Sequence, residues 1–163
     1  NKECKDPKKV LEIIAEPQVL DLCVNKPGFC RGSLGIPRDK MPQLSGDVKK
    51  SFLVRYTHAL LKYPAAFILP SQGEIHETKV KKLMQEGPRG EFSCDKSILV
   101  ALGNNSSPIY VLDGHHRWAA CKKLKGVQKI IGLFGSAENL LKEMLSFPGC
   151  RTASLEDALR SKT

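Results

Sequence analysis

IYVLDGHHRWAACKKL, residues 109–124, changes character at its centre. An apolar run from Ile109 to Leu112 ends in Asp113-Gly114; His115, His116 and Arg117 follow, and a helical pattern then begins. The stretch therefore predicts a strand handing over to a helix. Such a junction offers backbone N–H groups and the positive end of the helix dipole to whatever lies beyond the strand. Gly114 removes a side chain, so the backbone can approach a ligand closely. Arg117 can offer a fork of donors to phosphate oxygens, and His115 and His116 can donate to phosphates or move protons near neutral pH. Asp113 cannot favour a phosphate directly; it suits a metal-bound water, an oriented histidine, or a ribose or substrate hydroxyl. The competing structural reading is that Asp113 caps the helix and Arg117 pairs with a surface acid.

Two other chemistries fit the stretch poorly. A zinc site wants three or four ligands, adjacent His115 and His116 cannot easily face one ion, and only His58 and His76 remain. No metal site is expected. A serine hydrolase would show a Gly-x-Ser-x-Gly elbow and a P-loop would show Gly-x-x-x-x-Gly-Lys-Ser/Thr; neither occurs.

Working outward, residues 5–16 predict a helix with Asp6 as N-cap and Pro7 at its first position. QVLDLCV (18–24) reads as a short strand, and residues 25–46, rich in Gly and Pro, as a long loop that Cys23 and Cys30 could close. Residues 47–63 show Phe52, Tyr56, Ala59, Leu60 and Tyr63 at helical spacing, ended by Pro64. A strand over 65–70, a turn, a helix over 75–87 stopped by Gly87, and a strand over 97–102 come next. GNNSS (103–107) reads as a hairpin turn leading to the strand 108–113. Then come a helix closed by Gly126, a strand over 128–135, a helix with Ser136 as N-cap, and a last helix over 154–161. The order predicts an α+β domain, a small mixed sheet flanked by helices. A single domain spans 1–163: an N-terminal helical and loop extension (1–64), a core (65–135) and C-terminal helices (136–163).

The 163 residues carry a net charge of +9, which favours acidic partners, nucleotides and nucleic acid among them. Charged residues make up 26% and are spread along the chain rather than gathered in a basic tail. No apolar run nears the roughly 18 residues of a membrane span. No signal-peptide pattern is visible, and a sequence starting at Asn1 is compatible with removal of a leader. The six cysteines form no Cys-x-x-Cys pair. Cys4, Cys30, Cys94 and Cys150 sit in or near expected loops and termini, as structural disulfides do, whereas Cys121 lies in a helical pattern and reads as a buried free thiol. Disulfides would place the chain in a secreted or lumenal setting; scattered cytoplasmic thiols are the alternative.

DGHHRWAA after a strand, preceded by LPSQGEIHETKVKKLMQEG, resembles the ParB/sulfiredoxin superfamily, and in particular ParB-like domains of bacterial and phage proteins that carry a nuclease label. The likeness covers about residues 65–135, with GIPRDKMPQL as a further likeness upstream. Either box alone is weak; the two in this order are fairly specific. The resemblance implies a ParB/sulfiredoxin-like fold that binds a nucleotide (ATP, ADP or CTP), with Mg²⁺ as a candidate companion. Gly114, His115, His116 and Arg117 would contact its phosphates. Sulfiredoxins have a reactive cysteine where this chain has His115, and Cys121 is too far along the helix to replace it, so their chemistry is not expected. In free-serine kinases, which share the fold, a glutamate of the earlier turn is the base. Glu74 stands at that place, with Glu77 a turn later as alternate. Phosphoryl transfer or nucleotide hydrolysis would then use Glu74, Asp113 and His116, with Gln72 ordering the turn or a water. The runners-up are a basic nucleic-acid-binding or nuclease module and a secreted, disulfide-stapled binding protein with a vestigial site.

Overall fold

Ile98, Leu99, Val100 and Ala101 are all buried, and they alternate between two separate apolar clusters. A strand apolar on both faces needs cover on both faces, and that requirement organises the molecule. The computed structural model describes residues 20–26, 28–86, 92–103 and 108–152. The expected helices at 5–16 and 154–161, the Gly87 stop and most of the 103–107 turn lie outside the described residues.

The elements run as α1 (Leu22–Asn25), a 3₁₀ turn (Arg38–Lys40), β1 (Pro42–Gln43), α2 (Gly46–Leu53), β2 (His58–Pro64), a second 3₁₀ turn (Ala65–Phe67) and β3 (Ile68–Pro70). They continue as α3 (Glu77–Met84), α4 (Phe92–Asp95), β4 (Ile98–Gly103), β5 (Ile109–Asp113), α5 (His115–Lys123), β6 (Val127–Phe134), α6 (Ala137–Ser146) and β7 (Arg151–Thr152). Five strands form one mixed sheet in the order β2-β6-β4-β5-β3. β6 lies parallel to β4 and β3 parallel to β5, whereas β2–β6 and β4–β5 are antiparallel. The protein is thus a mixed α+β domain with its sheet flanked by helices, as expected.

One face of the sheet sends Ile98, Val100, Val111 and Ile130 against Val80 of α3 and Trp118 to Cys121 of α5. The other sends Leu99, Ala101, Leu112 and Leu133 against Phe52 of α2 and Leu140 and Met144 of α6. Trp118 is fully buried and its indole N–H donates to Ala65 O at 2.9 Å, which fixes α5 to the chain entering β3. Ser136 caps α6 by accepting from Asn139 N–H, as its sequence position predicts.

Several expectations are corrected. The strand expected over 18–24 is not formed by its described residues, 20–24: α1 occupies Leu22–Asn25, because Asp21 accepts from Cys23 N–H at 2.9 Å and from Ile75 N–H at 3.0 Å, a capping role that overrides the short apolar run. The helix expected over 47–63 stops at Leu53, and His58 sits on β2 rather than on a helix. β2 pairs with β6 through all seven of its residues, and this tertiary pairing overrides a 3.6-residue spacing that local reading favoured. α4 had no sequence signal. In the stretch 65–70, only Ile68–Pro70 is strand.

Cys121 is not a free thiol. It bonds Cys94, joining α5 to α4, and Cys23 bonds Cys30 at the start of the long loop. Cys150 is also disulfide-bonded, and no free cysteine occurs among the described residues. Gly126 makes room for the bridge: a Cβ there would lie 2.5 Å from Cys94 Sγ. Among the described residues no helix is long and apolar enough to cross a membrane.

The Cys94–Cys121 bridge closes a loop of 27 residues, for which chain entropy gives about 3.5 kcal/mol of stabilisation. The double variant Cys94→Ala/Cys121→Ala should lose about 3 kcal/mol in urea unfolding. In the parent chain Cys121 should resist alkylation under denaturing conditions until a reductant is added.

Candidate functional site

β5 ends at Asp113, and Gly114 turns the chain into α5 with φ +102°. Only glycine serves here: an added Cβ would sit 2.7 Å from Ile98 Cγ2 as well as in the left-handed region. As N-cap residue Gly114 has no side chain to cap the first turn. The first N–H groups of this nine-residue helix are therefore left for solvent or a ligand.

The segment 71–76 lies across the start of α5, and the two histidines hold it there. His115 Nε2 accepts from Ser71 N–H and Gln72 N–H, each at 3.0 Å, and Ser71 Oγ lies 3.2 Å away. Ser71 Oγ donates to Val111 O at 2.5 Å. His116 Nε2 accepts from His76 N–H at 3.1 Å. An imidazole that accepts through Nε2 is neutral and carries its proton on Nδ1. Burial enforces the same state. It pushes the His115 imidazole down to about 3. His116 is held well below its ordinary value, first by burial and then by the charges of Lys79 and Arg38, with His76 and His115 adding to the effect.

The cleft over this junction has a volume of about 360 Å³. Arg38, Lys79 and Arg117 bring positive charge to its walls, and Met41, Pro42, Leu83 and Leu112 make an apolar side. Gln43, Gln72 and the run Asp113–Arg117 complete the lining. Arg38 is only 8% exposed, so it is a buried cation. Arg117 Nη1 is buried and has no hydrogen-bond partner among the described residues. Asp113 Oδ2 pairs with Lys49 Nζ of α2 at 3.3 Å. No group of three or more His, Cys, Asp or Glu stands together as a metal site among the described residues.

The structure brings Gln72, Asp113, Gly114, His115, His116 and Arg117 to one cleft. Glu74 is not among the lining residues: its Oε1 accepts from Arg38 N–H at 2.9 Å, fastening the Arg38 turn to the 71–76 segment. Gln72 is 4% exposed and donates to Glu74 O. Ser33 Oγ donates to Gln72 O at 2.9 Å, and Gly73 N–H donates to Ile36 O at 2.8 Å. These bonds tie the loop after Cys30 to the 71–76 segment, and further along the same stretch Arg38, Met41, Pro42 and Gln43 line the cleft. Lys79 and Lys49 were not singled out in the sequence, and Met41 and Gln43 only through their place in GIPRDKMPQL. Arg38 had a signal, its place in GIPRDKMPQL. Lys49 had none, because only the fold sets α2 beside Asp113.

Compared with known proteins, the chain matches no family model, no curated protein and no solved structure.

The two depressed histidines tie stability to pH. Unfolded imidazoles titrate near 6.5 and folded His115 near 3, so in that window the unfolded chain binds more protons. Stability is therefore full above about pH 6.5 and falls as pH drops toward 3, by up to about 1.4 kcal/mol per pH unit for each histidine. Urea unfolding at pH 7.5, 6, 5 and 4 should show this fall, and His115→Gln, which cannot take up the proton, should shallow it.

Proposed function

We propose that the cleft binds a phosphate-bearing ligand, with one phosphate on the first turn of α5 and on Arg117. The observation that carries this reading is the buried Arg117 Nη1 without a partner, beside a helix start that no side chain caps. A buried guanidinium nitrogen left unpaired is costly, and a phosphate would satisfy it together with the helix N–H groups. The structural alternative asked Asp113 to cap α5 and Arg117 to pair with an acid. Asp113 instead takes Lys49, and no ion pair involves Arg117 among the described residues.

A ParB/sulfiredoxin-like core, by the resemblance of its two boxes, makes nucleotides (ATP, ADP or CTP) the first candidates. The cleft volume suits a small ligand rather than a nucleic-acid duplex. In phosphoryl transfer or nucleotide hydrolysis Asp113, the one carboxylate among the lining residues, is the group to receive a proton. Glu74 is occupied by the Arg38 N–H, and neutral His115 and His116 act as braces for the 71–76 segment. Asp113 is also bound to Lys49, so Mg²⁺ would be held mainly by the ligand's own phosphates. The disulfides point to work in an oxidising compartment, secreted or lumenal.

A thermal-shift series with ATP, ADP, CTP and pyrophosphate, each with and without Mg²⁺, tests the reading. At a hundred times Kd, binding adds about 2.7 kcal/mol, roughly 5–10 °C in Tm for a chain of this size. Arg117→Ala should abolish the shift while the variant itself still melts cooperatively. No shift with any of these ligands would sink the proposal.

A further inference from the structure

Asp113 is out of place in a cleft built for an anion. It lines the cavity next to Gly114, where its charge opposes a phosphate on α5. It does not cap the helix, since its hydrogen bond goes to Lys49, which reaches it from α2. The pair is part-buried, with the two side chains 25% and 27% exposed, so it is neither sealed in the core nor a freely solvated surface pair. Lys49 bonds Oδ2, and the carboxylate keeps a partly exposed face at the cleft. A carboxylate that lines the cleft beside the α5 start can accept a hydrogen bond from a ligand hydroxyl. Lys49 offsets its charge so that the phosphate is still tolerated.

We infer that Asp113 and Lys49 together make the cleft selective for phosphate esters that carry a hydroxyl group close to the phosphate, such as phosphorylated sugars and polyols. This rests on the phosphate reading above. The phosphate takes the first turn of α5 and Arg117, and the hydroxyl donates to Asp113. Gln43 adds a second polar side chain to the cleft lining, held by the pairing of β1 with β7. Lys49 touches no ligand; it is a positioning residue that acts through Asp113.

The test is calorimetric titration of the full chain with inorganic phosphate, glycerol 3-phosphate and ribose 5-phosphate at one low ionic strength, where partly exposed charges are least screened. The parent chain should bind the two esters about tenfold more tightly than phosphate, the effect of one good added hydrogen bond. Asp113→Ala should tighten inorganic phosphate about threefold, by removing a like charge, and reduce the preference to about unity. Lys49→Gln should weaken all three ligands about fivefold, because Asp113 is then uncompensated. Lys49→Gln/Asp113→Ala should recover phosphate binding but not the preference, an outcome that a merely structural role for Lys49 would not produce. Equal affinities in the parent chain, or a preference that survives Asp113→Ala, would overturn the selectivity. A Lys49→Gln protein that binds like the parent would overturn the role of Lys49. If none of the three compounds binds while ATP, ADP, CTP or pyrophosphate does, the phosphate reading stands and this inference falls; if none of all seven binds, both fall.

Discussion

Two backbone N–H groups converge on one lone pair, that of His115 Nε2, and the cleft depends on it. Ser71 and His115 are 44 residues apart, and both are buried. Without an acceptor there, Ser71 and Gln72 would bury unpaired donors, a penalty that local rearrangement could not escape. The bond does more than satisfy them. It holds the 71–76 segment across the start of α5, His116 repeats the contact at His76, and Glu74 then fastens the Arg38 turn to the same segment. Three parts of the chain remote in sequence thus share one hydrogen-bonded frame, and the basic side chains project from it into the cavity.

This frame also fixes what His115 does. A thiol is a weak acceptor and would be a poor replacement for an imidazole that receives two N–H groups. The histidine keeps the fold of the site together and gives up freedom to serve chemistry. Charge works in the same direction as burial: Lys79 and Arg38 lower the His116 pKa further, so these cations of the cleft help to preserve the frame.

Much of this was legible beforehand where local and global preferences agree. The handover at Asp113-Gly114, the strands around it and the Ser136 cap all follow from period and capping chemistry. The pairing of the LPSQGE turn with the DGHHR box was legible as a linkage. The direction of its hydrogen bonds was not: beside an arginine, the histidines read as donors to a ligand, and only burial makes them acceptors from the backbone. β2 was misread because its apolar residues repeat at helical spacing, while its strand form comes from pairing with β6, some seventy residues away. Cys121 looked like a core thiol because its helix is buried; its partner is brought near by α4, a four-residue helix with no pattern to announce it.

β2 has a further consequence. At the opposite border β3 is shielded, since Leu34 N–H donates to Pro70 O and Ile36 N–H to Ser71 O. Among the described residues β2 has no strand beyond it, and none of its seven residues is buried. Lys62 stands directly across from Lys129, a like-charge pair that costs sheet stability. Pro64 closes the strand with no N–H to give. A second molecule zipping onto this border would add another lysine to two that already repel and would find a donor missing. The exposed leucines at 60 and 61 thus sit on a border whose charges and proline oppose edge-to-edge pairing.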